Sequence, residues 1–431
     1  MIKRYFKQSW ELLKQNKLFS ALYLAGTALA ITMTMVIVIF WHIRTAPIYP
    51  ETERSSLWLM YGITLSTPQS TRKGYVSHDA LTQWFYPMKS AEIVSATNIY
   101  NFGEFDYIQL PNQNEQEWVK TKFIDPNFFK LFHFDFIDGR PFNDMEFQSK
   151  IPKVVISAGL AKEVFGTTFA VGKKISLNFA EYTVEGVVRD ASQLTPLSYA
   201  QIYLPYTCHP SFEHEKKAYA GITTGSYQVF FKIKKKAEFQ HEMQTLINSF
   251  NQMHKADSLS ISMRGPMPYT DSLVFDPASE SVNYQGEFLK WGVLILIFLL
   301  VPAMNLSGMI SHRMESRMEE IGISRAFGAT RGWLLRQILN ENLILTILGG
   351  IIGLIITWIT IFFFRNWIFG LFWNFESLDD NNAVLSPDML FSPGLFLAAF
   401  LLCLVLNLLS GTWPAWKASR KTITYCLNQK K

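Results

Sequence analysis

Four long apolar stretches constrain what this chain can fold into more than any other feature. They cover residues 18–41, 289–310, 343–364 and 390–409. A bilayer hydrocarbon core needs about 20 apolar residues of helix, and each stretch meets that length. The first carries no ionisable side chain, and the second is broken only by Lys290 at its edge. The first follows a basic segment, as a signal peptide would. A signal's apolar region is about 7–15 residues, shorter than this one. The stretch also lacks a small-x-small cleavage site at its end, so it reads as an uncleaved span. Residues 43–287 separate the first two spans and are long enough for a domain. The expected fold class is an α-helical membrane protein with four transmembrane helices and a large α+β domain inserted between helices 1 and 2.

Lysine and arginine near the span ends set orientation, because cytoplasmic loops are enriched in them. Lys3, Arg4, Lys7, Lys14 and Lys17 precede the first span. Arg313, Arg317, Arg325, Arg331 and Arg336 separate the second from the third, and Lys417, Arg420, Lys421, Lys430 and Lys431 follow the fourth. Residues 366–388 hold no Lys or Arg but carry Glu376, Asp379, Asp380 and Asp388. Both termini are then cytoplasmic and residues 43–287 lie outside. The net charge of +5 sits at membrane edges. It forms no nucleic-acid-sized patch, which excludes nucleic acid as a partner. Residues 1–17 read as an interfacial helix, with Ile2, Tyr5, Phe6, Trp10 and Leu13 opposite Lys3, Lys7, Glu11 and Lys14. A plain extension of the first span is the alternative. Trp41, Trp291, Trp367 and Trp413 fall near membrane boundaries, where indole rings settle; ordinary packing explains them equally well.

Inside the external domain the pattern becomes short strands and helices. Residues 57–65 and 92–100 read as strands, and Ser77 caps a helix over 77–89. Residues 225–234 alternate Tyr227, Val229, Phe231 and Ile233 on one face of a strand. A helix bearing Phe239, Met243, Leu246, Ile247 and Phe250 follows, then a strand over 258–263. Residues of about 49–104 and 208–285 thus predict one sheet-and-helix lobe. An inserted lobe of about 105–207 contains a strand at 153–157, a helix at 159–165 and a hairpin of 174–177 with 182–188. Of Cys208, Cys403 and Cys426, only Cys208 falls in this domain, so an internal disulfide there is ruled out.

The sequence offers no catalytic constellation. GTTFAVGKK at 166–174 resembles a phosphate loop, but its spacing is wrong and Lys174 stands where a Ser or Thr should hold magnesium. It also lies between a helix and a strand, in the wrong order, and reads as a turn. His241 and Glu242 begin a zinc-protease motif, but Thr245 replaces the second histidine. No metal-ligand spacing occurs among the eight histidines. No acidic residue or Arg lies deep in a span, which argues against proton- or ion-coupled carriers. Asn305 and Ser307, following Pro302, read as interhelical glue rather than a substrate contact. Gly349 and Gly353, extended by Gly350, make a small-xxx-small face suited to helix packing or dimerisation.

The most informative stretch is Arg313-Met-Glu-Ser-Arg317 followed by EEIGISRAFGATR at 319–331, with Glu341 and the glycine-rich third span after it. It resembles the signature of MacB/FtsX/LolC-type permeases of ABC transporters. FFKLFHFDFIDGRPFND from Phe128, KVVISAGLAKEVFG from Lys153 and LLSGTWPAWKASR from Leu408 resemble further blocks of that family. The family's proline after the last block is missing at Lys421-Thr422-Ile423. The resemblance implies a MacB-like periplasmic core domain over 43–287 and an FtsX-like permease domain over 288–416 with a cytoplasmic tail at 417–431. It implies a bacterial inner-membrane subunit that is not itself an enzyme and binds no cofactor. A separate cytoplasmic ABC ATPase would use ATP and Mg. Other implied partners are a second permease copy or paralogue, a periplasmic adaptor or outer-membrane component, and membrane lipids. ATP-driven closure would work the external domain, for export, efflux or lipoprotein release; activating an external enzyme or sensing peptides is the other role the resemblance implies. The coupling segment would comprise Arg317, Glu320, Ile321, Gly322, Ile323, Arg325, Ala326, Gly328, Ala329 and Arg331. Within it a short helix over about 318–327, ended at Gly328, offers Ile321, Ile323 and Ala326 as an apolar knob. Arg317, Arg325 and Arg331 rim that knob for partner carboxylates.

Overall fold

The computed structural model describes residues 17–99, 106–109, 116–218, 223–276, 279–372, 384–390 and 392–422. Residues 1–16 of the interfacial helix expected at 1–17, the acidic residues Glu376, Asp379 and Asp380, and the tail from 423 lie outside them. The chain divides into two compact units. One is helical and built on residues up to Ile43 and from Tyr284 onward; the other is α+β and built on Arg44–Asn283.

In the α+β unit a single hydrogen-bonded path of strands runs through both parts of the sequence that were read as lobes. Its order is Ser260–Arg264, Gly62–Ser66, Thr71–Val76, Tyr227–Ile233, Ala91–Asn98, Thr121–Ile124, Ile202–Pro205, Lys153–Ser157, Ala180–Val188, Lys174–Leu177, Asp106–Gln109 and Gln116–Val119. Two of these pairings are parallel: Thr121–Ile124 with Ile202–Pro205, and Lys153–Ser157 with Ala180–Val188. The residues expected to form one strand at 57–65 form two. Leu57–Met60 pairs with Tyr227–Ile233, whereas Gly62–Ser66 pairs with Ser260–Arg264. The break follows from Gly62, which has a φ of +144° and whose added Cβ would sit 2.0 Å from the Gly74 carbonyl oxygen. Only glycine tolerates that approach.

Three apolar clusters hold the unit together. Trp58, Phe85, Phe231 and Phe239 anchor one, under the helix Lys236–Met253. Val154, Ile156, Leu160, Val184 and Val187 anchor the second, under the helix Ala158–Phe165. The third joins the two parts, bringing Leu57, Leu59 and Phe230 against Phe128, Phe132 and Tyr203. A buried carboxylate ties the same seam. Asp125 accepts from Ser95 Oγ and Tyr86 OH, each at 2.7 Å, and from the Ala96 and Phe128 amides at 3.0 Å. Four donors on one carboxylate repay much of the cost of burying it. Ser77 caps its helix as expected, accepting from the Ala80 amide at 3.1 Å.

Among the described residues of the helical unit, three stretches are long and apolar enough to cross a membrane: Ser20–Thr45, Arg331–Ile368 and Pro387–Lys417. The stretch at 289–310 lies within a fourth long helix, Tyr284–Ser316. The side chains of Pro302, Asn305 and Ser307 there are outside the described residues. The long helix Arg331–Phe372 departs from helical geometry at Phe364, with φ −110° and ψ 15°, where the third span was expected to end. Trp291 is buried between Phe40 and Trp41, with ring centroids 5.0 and 5.6 Å away, while Trp367 and Trp413 are exposed.

An ion network on the α+β unit gives a pH test. Arg140 and Lys153 both bridge Glu146 and Glu185, at 2.5–2.7 Å. Hydrogen bonding from Arg140, then from Lys153, holds the Glu146 carboxyl at about 2, down from its ordinary 4.5. A carboxyl with a lowered folded pKa stabilises fully above its unfolded value and loses that contribution as pH falls through its folded one. Glu146→Gln should therefore destabilise the chain by about 2 kcal/mol near neutral pH. In thermal unfolding of the detergent-solubilised protein, that gap should narrow as pH falls from 4.5 toward 2.

Candidate functional site

The segment between the second and third long helices folds as the short helix Met318–Ala326. Gly328 ends it. Its φ is +94°, its amide donates to the Arg325 carbonyl at 3.0 Å, and the Ala329 amide reaches back to the Ser324 carbonyl at 3.0 Å. These two bonds satisfy carbonyls that the helix end would otherwise leave open, and they require a left-handed residue at position 328.

One face of this helix is not available to a partner. Ile321, expected in the apolar knob, is only 7% exposed. It packs with Met314, Met318, Leu334 and Ile338 of its own chain. Gly322 is buried beside it on the helix. The reason is geometric: Met318, Ile321 and Gly322 fall on one side at i, i+3 and i+4. Ile323 lies about 200° from Ile321 around the helix and cannot share its face. The outward side carries Ile323, Ala326 and Phe327, with Ile323 45% exposed and Phe327 88% exposed. Phe327, one turn after Ile323, is the most exposed large apolar side chain of the segment, and it is not among the residues expected to form the knob.

The arginines likewise divide. Arg317 is held within its own chain: Nε donates to Glu320 and Nη1 donates to Glu341, each at 2.8 Å. The Glu341 side chain is 5% exposed. Arg317 is therefore a latch from the short helix to the long helix Arg331–Phe372, not a rim cation for a partner. Arg325 is half-buried and its Nη1 donates to the Lys421 carbonyl, at the end of the last helix. Arg331 is exposed and makes no ion pair among the described residues. Ala329 packs against the buried cluster.

The glycine face of the long helix packs within the chain. A Cβ on Gly349 would sit 2.9 Å from Thr27 Cβ, and one on Gly353 would sit 2.8 Å from the Ala28 carbonyl oxygen, both on the first helix. A Cβ on Gly350 would meet the Phe400 ring at 2.2 Å. Thr32 Oγ1 donates to the Gly353 carbonyl at 3.1 Å, and Tyr23 OH meets Thr346 Oγ1 at the same distance. The glycines admit this close backbone approach, and the hydroxyls find partners across it.

The sites set aside in the sequence remain structural elements. Gly166 is the left-handed cap of the helix Ala158–Phe165, and Lys174 opens a strand and pairs with Glu181. Among the described residues, no three His, Cys, Asp or Glu side chains converge as a metal site.

The chain thus joins a unit of long apolar helices and a short connecting helix to a separate α+β unit. Comparison with known proteins identifies the class. The family model of the MacB-like periplasmic core domain matches residues 20–246, and that of the FtsX-like permease C-terminal domain matches 292–423. The first match alone covers more than half of the 431 residues, and the chain belongs to this MacB/FtsX-type ABC transporter permease family. It is 24% identical over 221 residues to the uncharacterized ABC transporter permease YknZ of Bacillus subtilis, covering 50% of each chain. It is 22% identical over 298 residues to the macrolide export ATP-binding/permease protein MacB of Bdellovibrio bacteriovorus, covering 66% of this chain and 40% of that one. The chain thus spans half or less of the length of these relatives. Among solved structures, a domain of a putative permease from Porphyromonas gingivalis is similar at 17% identity and TM-score 0.34, over 50% of this chain and 91% of that one.

The latch yields a direct test. Arg317→Gln leaves the Glu341 carboxylate buried without its cation, a defect that costs about 3 kcal/mol. The short helix should then open more often, and trypsin should cut at Arg325 and Arg331 about tenfold faster or more. An unchanged cutting rate with the fold intact would contradict the latch.

Proposed function

We propose that this chain is the permease subunit of an ABC transporter, with four spans, both termini cytoplasmic and the α+β unit in the periplasm of a bacterial inner membrane. The short helix Met318–Ala326 receives the motion of a separate ATPase subunit. The first helix and the helix Tyr284–Ser316 carry it toward the α+β unit, which handles the substrate for export, efflux or lipoprotein release. ATP and Mg are bound by the ATPase, and this chain holds no cofactor. Two permease copies, or this chain and a paralogue, form the working pair. A periplasmic adaptor or outer-membrane component completes the path for exported substrates.

The observation that carries this reading is the short helix itself. It is held on its inner face by Ile321 and Arg317, and it projects Phe327 and Ile323 outward. Rigid attachment on one side and an exposed apolar contact on the other suit a lever that another protein pushes. Isolated exposed aromatics are ordinary, but a Phe at 88% exposure on a capped, latched helix is a strong anchor for a partner's pocket. The small-residue contacts of Gly349 and Gly353 with the first helix support transmission through the unit as a body.

Phe327→Ser tests the proposal. The side chain touches little of its own chain, so thermal stability should stay within about 0.5 kcal/mol of the parent. Co-purification of the ATPase subunit should fall about tenfold or more, as truncation of a central anchor does. Full retention of the ATPase and of substrate-stimulated turnover would overturn the role assigned to this helix.

A further inference from the structure

The last helix, Pro393–Arg420, presents one continuous face whose chemistry changes in order along its axis. Leu402, Val405 and Leu409 are exposed apolar side chains. Trp413 and Trp416 follow, 68% and 39% exposed, with rings stacked at a centroid distance of 5.6 Å. Lys417 and Arg420 come next, both exposed. Residues 402, 405, 409, 413, 416, 417 and 420 repeat at three- and four-residue steps, so they share a side of the helix. Gly411 and Ala415 on the opposite side are buried.

The cationic end is built and unspent. The Arg420 guanidinium lies over the Trp416 ring, 3.9 Å from its centroid. Neither Arg420 nor Lys417 makes an ion pair among the described residues. From Trp413 to Arg420 the helix rises about 10 Å, comparable to a headgroup layer, and from Leu402 to Trp413 about 16 Å, comparable to an acyl leaflet. Apolar, then aromatic, then cationic is the order in which a phospholipid presents its chains, its interface and its phosphate.

We propose that this face binds an anionic phospholipid, with acyl chains along Leu402, Val405 and Leu409, the glycerol region against the stacked tryptophans, and the headgroup phosphate held by Arg420 and Lys417. The apolar continuation argues for a lipid rather than a free anion. The Trp416 ring pre-orders the guanidinium, which lowers the cost of holding a phosphate. The site ends one residue before Lys421, whose carbonyl accepts from Arg325 of the short helix. A bound lipid therefore steadies the point to which the short helix is tied; this consequence for coupling rests on the function proposed above, whereas lipid binding does not.

The test uses the full chain, purified in detergent and examined by native mass spectrometry with added phosphatidylglycerol or phosphatidylethanolamine. The parent should retain phosphatidylglycerol in preference to phosphatidylethanolamine, and excess inorganic phosphate should not displace it. Lys417→Gln with Arg420→Gln should cut that retention about tenfold or more, since each basic residue near the surface contributes comparably to anionic-lipid binding. Trp416→Leu, which keeps both charges but removes the ring under Arg420, should reduce it in the same direction. Equal retention of both lipids by the parent, unchanged retention by the double variant, or displacement by inorganic phosphate would each overturn the proposal. Loss of ATPase association in Phe327→Ser is a separate readout, so a failed coupling mechanism leaves this result interpretable.

Discussion

The arrangement of the helical unit depends on how the short helix Met318–Ala326 is fastened. A nine-residue helix is marginal by itself, because nucleation is costly and few bonds repay it. Here the side chains supply what the backbone cannot. Ile321 enters the cluster of Met314, Met318, Leu334 and Ile338, and Arg317 spans from Glu320 to the nearly buried Glu341. The apolar contact and the ion pair act on the same face, so the helix has one orientation. That orientation leaves Ile323 and Phe327 facing away from the bundle. Phe327 therefore sits on a surface already anchored to the long helix Arg331–Phe372.

Beyond the short helix, close backbone contact takes over from side-chain bulk. Lipid-facing helices gain little from apolar burial, since the bilayer is as apolar as a neighbouring helix. Gly349 and Gly353 instead let the long helix lie against Thr27 and Ala28, and Thr32 and Tyr23 add hydrogen bonds across that contact. The α+β unit solves a different problem. Its strands come from distant parts of the chain, and the seam among them is closed by the Asp125 carboxylate and by an aromatic cluster around Phe128 and Tyr203.

Much of this was legible in the residues. Alternation and capping placed the strand Lys153–Ser157 and the Ser77 cap where the structure has them, and the helix expected at 159–165 one residue short of its observed start at Ala158. The left-handed Gly328 was also readable, because a glycine after a charged amphipathic run is the usual way a helix stops. The contacts between distant parts of the chain were less so. The break at Tyr61 depends on how near Gly74 lies to Gly62, a distance set by pairing between non-adjacent strands. Ile321 and Ile323 are both isoleucines beside charges, yet residues two apart on a helix point to nearly opposite sides. The spacing of Met318, Ile321 and Gly322 carried the needed signal. That Arg317 serves Glu341 rather than a partner could not be read, since 24 residues separate them in sequence.

Thiol accessibility measures the central claim most directly. In a background with the native cysteines replaced, Ile321→Cys and Phe327→Cys are each labelled with a water-soluble maleimide, before and after the ATPase subunit is added. The account predicts fast labelling at position 327, slow labelling at 321 until the protein is denatured, and protection of 327 alone when the ATPase binds. Labelling of position 321 at the same rate as 327, or a rate at 327 indifferent to the ATPase, would contradict it.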